Sequence, residues 1–425
     1  MTNRSLKMAF LALTAVAALC TAVSAAEKDA ANKSASDDKS YAEPPHWPVG
    51  FKLPDKVLML DQKRGKKRIN SPQANVLVWV PPKADKIRAT VVVPNNTDSK
   101  NVFEHDAVRK VLAEHEVGVI YLRHFPGAVV EWTNPPKDAD WAFQTMLDTV
   151  AKKTGIEEFR NAPFITFGKS SRGRFPFRTT WWFPKRVIAS ITYHGETPTW
   201  PMKDWAKDAV KDESVLHVAI NGQSEWSGTW YRHVRPNLLN YHNNTDWLAH
   251  QVVLPGIGHG NYPDMHGSKG WGKPVPEGKV SCLDTWNYVA AFIDNAMKLR
   301  VPKDKYPTDK PLDLKQVDRD NGLLIHPRAP EQLLDMKWMA WREKDDVYQT
   351  IPWPDEKHPV HDKKQGSVEK DKLIRYATDV PKEEREDYMW IPNRELALQW
   401  LKLQKVDNPE SYLPEKKTKT AKAEK

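Results

Sequence analysis

Apolar residues in this chain follow two rhythms, and the two alternate. Short continuous apolar runs stand at 75–80, 89–93, 117–122, 162–167, 187–192, 215–220 and 251–254. Their lengths and Gly- or Pro-rich flanks are those of strands, and their lack of alternation marks strands buried on both faces. Between them the period lengthens. Val102, Phe103, Ala107, Val108, Val111 and Leu112 recur at helical spacing across 102–116, and 141–153 form a second amphipathic helix closed by Gly155. Segment 175–183 also reads as helical, and 230–250 mostly so, although Pro236 interrupts it. A long helix at 283–300 presents Trp286, Val289, Ala290, Ile293 and Met297 on one face. Strands alternating with helices predict an α/β domain over 46–300, a doubly wound, mainly parallel sheet covered on both faces. Ligands of such sheets sit beyond the carboxyl ends of the strands.

The rhythm fails at both ends. Arg4 and Lys7 precede an apolar run at 8–23 and the small residues Ser24, Ala25 and Ala26. That is the layout of a cleaved signal peptide, 1–26, and it predicts a secreted or periplasmic protein. The run is short and lacks a stop-transfer flank, so no stable membrane insertion is expected after cleavage. Residues 27–45 are rich in Ala, Lys, Ser and Asp without periodicity, as in a disordered linker. Beyond Pro302 the chain turns to Pro, charge and Trp, with short apolar pieces at 322–325 and 388–391 and a helical stretch at 395–404. Residues 301–414 therefore read as a C-terminal extension that packs on the core or forms a small β-rich module. The Lys-rich end, 415–425, reads as a solvated, disordered tail.

Composition narrows the chemistry. A mean hydropathy of −0.67 and 40% hydrophobic residues describe a soluble globular chain with polar margins. Loss of the signal peptide would remove Cys20 and leave Cys282 alone, which excludes an internal disulfide and suggests a buried small hydrophobe. The net charge of +9 favours acidic glycans or anionic surfaces outside the cytoplasm. No zinc-finger, helix-turn-helix or RNA-binding signature accompanies that charge, so no nucleic acid is expected as partner. His105, His115 and His124 lack the spacing of a zinc helix, and no Gly-rich phosphate loop is present; neither a metal nor a cofactor is called for. The 18 Trp residues would mostly fill core and seams, yet exposed indoles also stack on sugars.

One stretch, 161–173, reads N-A-P-F-I-T-F-G-K-S-S-R-G. A strand, a tight turn carrying Ser170 and a helix are the context of a nucleophile elbow. Gly168 gives the turn clearance; Arg172 stands where the G-x-S-x-G pattern has its second Gly, which comes only at Gly173. Glu225 follows the 215–220 strand and His259 follows the 251–254 strand, inside G-I-G-H-G. A Ser hydroxyl is a poor nucleophile until a His takes its proton, and that His needs a carboxylate to fix its tautomer. Ser170, Glu225 and His259 lie on loops after strands, in the order Ser, acid, His, and all should meet at one sheet edge. Other residues compete for each role: Ser171 as nucleophile; Asp246 and Asp264 as acid, Asp264 alternatively bracing the His loop; His194, His217, His242 and His266 as base. Arg172, His194 and Trp226 are candidates for substrate binding. With Lys169, Arg172 could hold an acidic group such as a uronate or pair with carboxylates on a solvated face.

Four segments carry a family likeness: G-K-S at 168–170, F-P-K-R-V at 183–187, N-G-Q-S-E at 221–225 and G-I-G-H-G at 256–260. Through them, residues 75–300 resemble the α/β-hydrolase superfamily. The elbow variant G-x-S-x-R-G also resembles that of secreted hydrolases in the PhoPQ-activated pathogenicity-related family. The resemblance implies an α/β-hydrolase-type fold and a serine esterase working through an acyl-enzyme. It implies an oxyanion hole made by backbone N–H groups of Ser171 and of Asn95 or Asn96. The expected partner is a small-molecule or glycan ester, and Trp content and basic balance favour a carbohydrate-linked one. Rival expectations are a peptidase, lactonase or polyester hydrolase on the same fold, or a non-catalytic glycan-binding protein.

Overall fold

The computed structural model describes residues 47–53, 76–96, 99–123, 139–195, 214–222, 248–260, 262–266, 270–271, 275, 280–327, 329–333, 338–342, 347–351 and 368–415. The expected signal segment and linker, Glu225, Trp226, His242, Asp246 and 416–425 lie outside them. The chain divides into two units, Met1–Pro48 and Val49–Lys425, and every described strand and helix belongs to the second.

Eight strands form one sheet: β1 (Val49–Phe51), β2 (Val76–Trp79), β3 (Ala89–Pro94), β4 (Val117–Leu122), β5 (Phe164–Lys169), β6 (Val187–Tyr193), β7 (Leu216–Gly222) and β8 (Leu248–Leu254). Their spatial order is β1-β2-β4-β3-β5-β6-β7-β8, with β3 to β8 parallel and β2 antiparallel to both its neighbours. Every residue of β2 to β8 is buried, which is why these segments read as unbroken apolar runs. Side chains alternate between two cores. Val92, Ile120 and Phe164 join Phe143, Met146, Leu147 and Val150 of helix Ala139–Thr154, and Phe175 of helix Arg174–Trp182. On the other face Phe103 meets Phe167 edge-on at 5.1 Å, and helix Asp106–Glu114 packs along helix Cys282–Arg300. This is the α/β-hydrolase fold. Because β3 to β8 run the same way, Asn95, Ser170, His194, Gly222 and the residues after Leu254 all stand at one edge.

Three elements depart from the sequence pattern. The helix expected over 102–116 is two helices, Ser99–Glu104 and Asp106–Glu114, broken at His105. His105 is extended (ψ 134°), and its ring lies 5.4 Å from that of Trp286. The elbow strand starts and ends two residues later than its apolar run, because Gly168 and Lys169 continue the ladder to Thr192 and Tyr193. The expected helix at 230–250 does not reach its end: Leu248, Ala249 and His250 begin β8. Burial on both faces had erased the alternation that would have marked them as strand.

Beyond Val301 several described segments lie against the same core. Strands Leu323–Ile325, Ile374–Tyr376 and Met389–Ile391 form a small antiparallel sheet, and Met389–Ile391 packs beside β8. Helix Arg394–Leu403, capped by the Asn393 side chain on Leu396 N–H at 2.9 Å, lies against helix Cys282–Arg300. Trp400 donates its indole N–H to the Gln251 carbonyl at 2.6 Å. The last strand of the large sheet is thus covered rather than left as an open edge. Trp181, Trp286, Trp390 and Trp400 are all fully buried in these layers.

Candidate active site

The elbow is built by crowding. A Cβ at Gly168 would stand 2.1 Å from the Arg172 carbonyl oxygen and 2.7 Å from Pro176 Cδ, so only Gly lets the chain fold back there. Ser170 then takes a left-handed backbone, φ 52°, unusual for a residue with a Cβ. The second close approach answers the question posed by Arg172. A Cβ on Gly195 would lie 2.7 Å from Gly173 Cα, so the elbow and the end of β6 meet backbone to backbone at Gly173. The glycine that the close approach requires is thus at 173, one residue later than in G-x-S-x-G, and the Arg side chain at 172 is compatible with the turn.

Hydrogen bonds pin the strained turn. Ser170 N–H donates to the His194 carbonyl at 3.1 Å, and Gly173 N–H donates to the Ser170 carbonyl at 2.8 Å. The Asn96 side chain donates to the Lys169 carbonyl at 2.6 Å, tying the loop after β3 to the elbow. Ser170 Oγ lies 2.7 Å from His259 Nε2, within hydrogen-bonding distance. Ser171, the alternative nucleophile, is exposed on the 3-10 turn Ser170–Arg172.

The loop carrying His259 is anchored on three sides. A Cβ on Gly222, at the end of β7, would stand 2.2 Å from the Ile257 oxygen and 2.6 Å from the Gly258 oxygen. The end of β7 therefore runs directly under the His loop, three residues before Glu225. Tyr262 OH lies 2.8 Å from His194 Nε2 and 2.7 Å from Tyr193 OH. Asp264 accepts from Cys282 N–H at 3.0 and 3.2 Å and from the Cys282 thiol at 3.0 Å. Burial, then the Asp264 carboxylate, pushes that thiol far above its ordinary pKa, leaving Cys282 a neutral donor. Asp264, the alternative acid, is thereby committed to the first turn of helix Cys282–Arg300.

Two expected roles need correction. The Asn95 N–H cannot serve an oxyanion, because it donates to the Leu122 carbonyl at 2.9 Å and prolongs the β3–β4 ladder. The Asn95 side chain accepts from Tyr121 OH. His194 does not line an open pocket: it is fully buried, with its Nε2 on Tyr262 and its ring edge-on to that of His259 at 6.1 Å. His217, the alternative base on β7, is likewise buried, its ring 4.3 Å from that of Phe177 and tilted to it by 47°. Arg172 is half-buried two residues after Ser170, and Lys169 is 2% exposed with its ammonium close to Gly260. Glu225 and Trp226 fall outside the described residues. Sequence reasoning missed Tyr262 altogether; its one signal was an aromatic three positions after His259, in the loop that follows the last parallel strand.

Among the described residues no group of three or more His, Cys, Asp or Glu gathers as a metal site, and no helix is long and apolar enough to cross a membrane. No model of a known protein family matches the sequence, and no curated protein matches it. Solved structures do. Est1E from Butyrivibrio proteoclasticus is 11% identical with a TM-score of 0.33, over 52% of this chain and 94% of its own. A truncated carbohydrate esterase from gut microbiota is 14% identical with a TM-score of 0.34, over 51% and 91%. A predicted CIB-like hydrolase from Thermoplasma acidophilum is 12% identical with a TM-score of 0.33, over 52% and 92%. Likenesses this distant carry no argument about reaction or substrate, which rest on the site's own atoms.

Proposed function

We propose that the protein is a serine hydrolase that cleaves carboxylic esters through an acyl-enzyme. One observation carries the reading: Ser170, held left-handed at the end of β5, has its Oγ 2.7 Å from His259 Nε2. A hydroxyl and an imidazole so placed on an elbow are an activated nucleophile and its base. In this reading Ser170 Oγ attacks the ester carbonyl while His259 takes its proton. The tetrahedral intermediate collapses, the C–O bond to the leaving alcohol breaks, and His259 protonates that alcohol. Water then attacks the acyl-enzyme with His259 again as base, releasing the acid and restoring Ser170. Glu225 is the proposed partner of His259, supported by the contact of Gly222 with the His loop and by the engagement of Asp264 with Cys282.

The oxyanion donors are read as the Ser171 N–H, in the first turn after the nucleophile where helical N–H groups lack internal acceptors, and the main chain at Asn96. A donor aimed at the developing oxyanion is typically worth about 3 kcal/mol of transition-state stabilisation. Arg172 and Lys169 add positive charge beside the nucleophile and favour an ester whose acid or alcohol part is anionic, such as a uronate-bearing glycan. The G-x-S-x-R-G elbow supports kinship with secreted hydrolases of the PhoPQ-activated pathogenicity-related family, and export through a cleaved 1–26 segment goes with that reading.

The test is to treat the protein, with and without residues 1–26, with a fluorophosphonate probe and map the adduct by mass spectrometry. A single adduct on Ser170 that disappears in His259→Ala is expected. An adduct on Ser171 would move the nucleophile by one residue, and a folded protein with no adduct would remove the hydrolase reading.

A further inference from the structure

His194 is held in an unusual state for a residue the reaction does not use. It is fully buried, and its backbone is left-handed at φ 44°, a conformation that costs a non-glycine residue on the order of 1 kcal/mol. Both ends of the residue are occupied by the catalytic pair's own supports. Its carbonyl accepts the Ser170 N–H at 3.1 Å, and its Nε2 lies 2.8 Å from the hydroxyl of Tyr262, three residues beyond His259 in the same loop. Ser170 and the His259 loop are therefore both fastened to one residue, the first through the main chain and the second through the side chain.

The fastening continues into the core. Tyr262 OH lies 2.7 Å from Tyr193 OH, and Tyr193 OH accepts the Trp286 indole N–H at 3.2 Å. Trp286 belongs to helix Cys282–Arg300, whose first turn is bound by Asp264 of the same loop. With Trp286 restricted to donating, the run is satisfied when Tyr193 donates to Tyr262 and Tyr262 donates to His194 Nε2. All four side chains are nearly or fully buried, which makes these bonds costly to break. Burial, reinforced by Tyr193, holds the Tyr262 phenol well above its ordinary pKa, so it keeps its proton at any working pH.

We propose that His194 and Tyr262 are positioning residues, a buried latch that sets the Ser170–His259 distance from behind the site. The proposal rests on the serine-hydrolase reading. Without the latch the loop would still be held at Gly222 and Asp264, so the fold should persist while the Oγ–Nε2 geometry loosens. A misplacement of about 1 Å costs on the order of 100-fold in rate.

The experiment measures fluorophosphonate labelling of Ser170 and hydrolysis of p-nitrophenyl acetate in the full chain for Tyr262→Phe, His194→Leu and His194→Gln. Tyr262→Phe removes one hydroxyl and should slow labelling by about 10-fold or more, lowering kcat with KM within about two-fold. Leu and Gln share the left-handed backbone cost at 194, but Gln keeps an amide to meet Tyr262. His194→Gln should therefore label about five-fold faster than His194→Leu, a difference that lost packing alone would not produce. Labelling of Tyr262→Phe at the wild-type rate, equal rates for the two His194 variants, or a change in KM alone would each overturn the latch. If Tyr262→Phe loses its near-UV circular dichroism, the His194 pair decides. A wild-type protein that takes no label would bring down the hydrolase reading itself, a failure visible before any variant is made.

Discussion

The strain at Ser170 should be measurable as stability that one substitution restores. Its φ of 52° places the Cβ in the left-handed region, which costs about 1–2 kcal/mol for a residue with a side chain. The turn is held there by three hydrogen bonds: Ser170 N–H to His194, Gly173 N–H to Ser170 and the Asn96 side chain to Lys169. Ser170→Ala and Ser170→Gly both lose the bond between Oγ and His259, so that loss cancels between them. Ala keeps the backbone strain and Gly relieves it. Gly also adds about 0.4–1 kcal/mol of unfolded-state entropy, which offsets part of the gain. The difference should be about 0.5–1 kcal/mol in favour of Ser170→Gly. Urea unfolding of the two variants, followed by near-UV circular dichroism at equal slope, reads it as a higher midpoint for Gly. An Ala variant as stable as the Gly variant would mean that the turn is not strained, and an elbow at this residue would be refuted with it.

Gly168→Ala should do the opposite, since its Cβ would meet the Arg172 carbonyl at 2.1 Å; a cost of about 1–3 kcal/mol and loss of Ser170 labelling are expected in unfolding and probe assays. Trp400→Phe leaves the Gln251 carbonyl without its indole donor and should cost about 1–3 kcal/mol in urea unfolding, with labelling of the distant Ser170 unchanged. Burial pushes His217 and His250 down to about 3, from 6.5 in an unfolded chain, so below about pH 6.5 the unfolded state binds protons that the fold excludes. Stability should be complete above that pH and fall by about 1.4 kcal/mol per unit for each His as the pH drops toward 3. Unfolding midpoints of wild type and His217→Phe at pH 6.5, 5.5 and 5 test this, the variant showing the shallower slope.

Much of the fold was legible in the chain because a parallel sheet covered on both faces writes itself as unbroken apolar runs. β3, β4, β6 and the helix after Ser281 stand within a residue or two of where the pattern placed them. The same property hid the start of β8, since Leu248–His250 have no exposed face to break the run. At the site, the residue types and their order after strands named Ser170 and His259 as partners, and the two lie 2.7 Å apart. That much follows locally: a strand end, a glycine and a side chain able to do the chemistry are all properties of short segments.

The surroundings of that pair were decided only by the tertiary structure. Whether a backbone N–H is available depends on the strand beside it, and the ladder from β4 claims the N–H of Asn95. Whether an Arg side chain spoils the turn depends on Gly195, whose close contact is with Gly173 and not with residue 172. Asp264 was drawn to Cys282, and His194 was turned inward to Tyr262, by partners 18 and 68 residues away. Sequence spacing carries backbone geometry and periodic burial because both are short-range. Hydrogen bonds between buried polar groups are assigned by neighbours that only folding brings together, so the partners of Asn95, Asp264 and His194 could be read only from the tertiary structure.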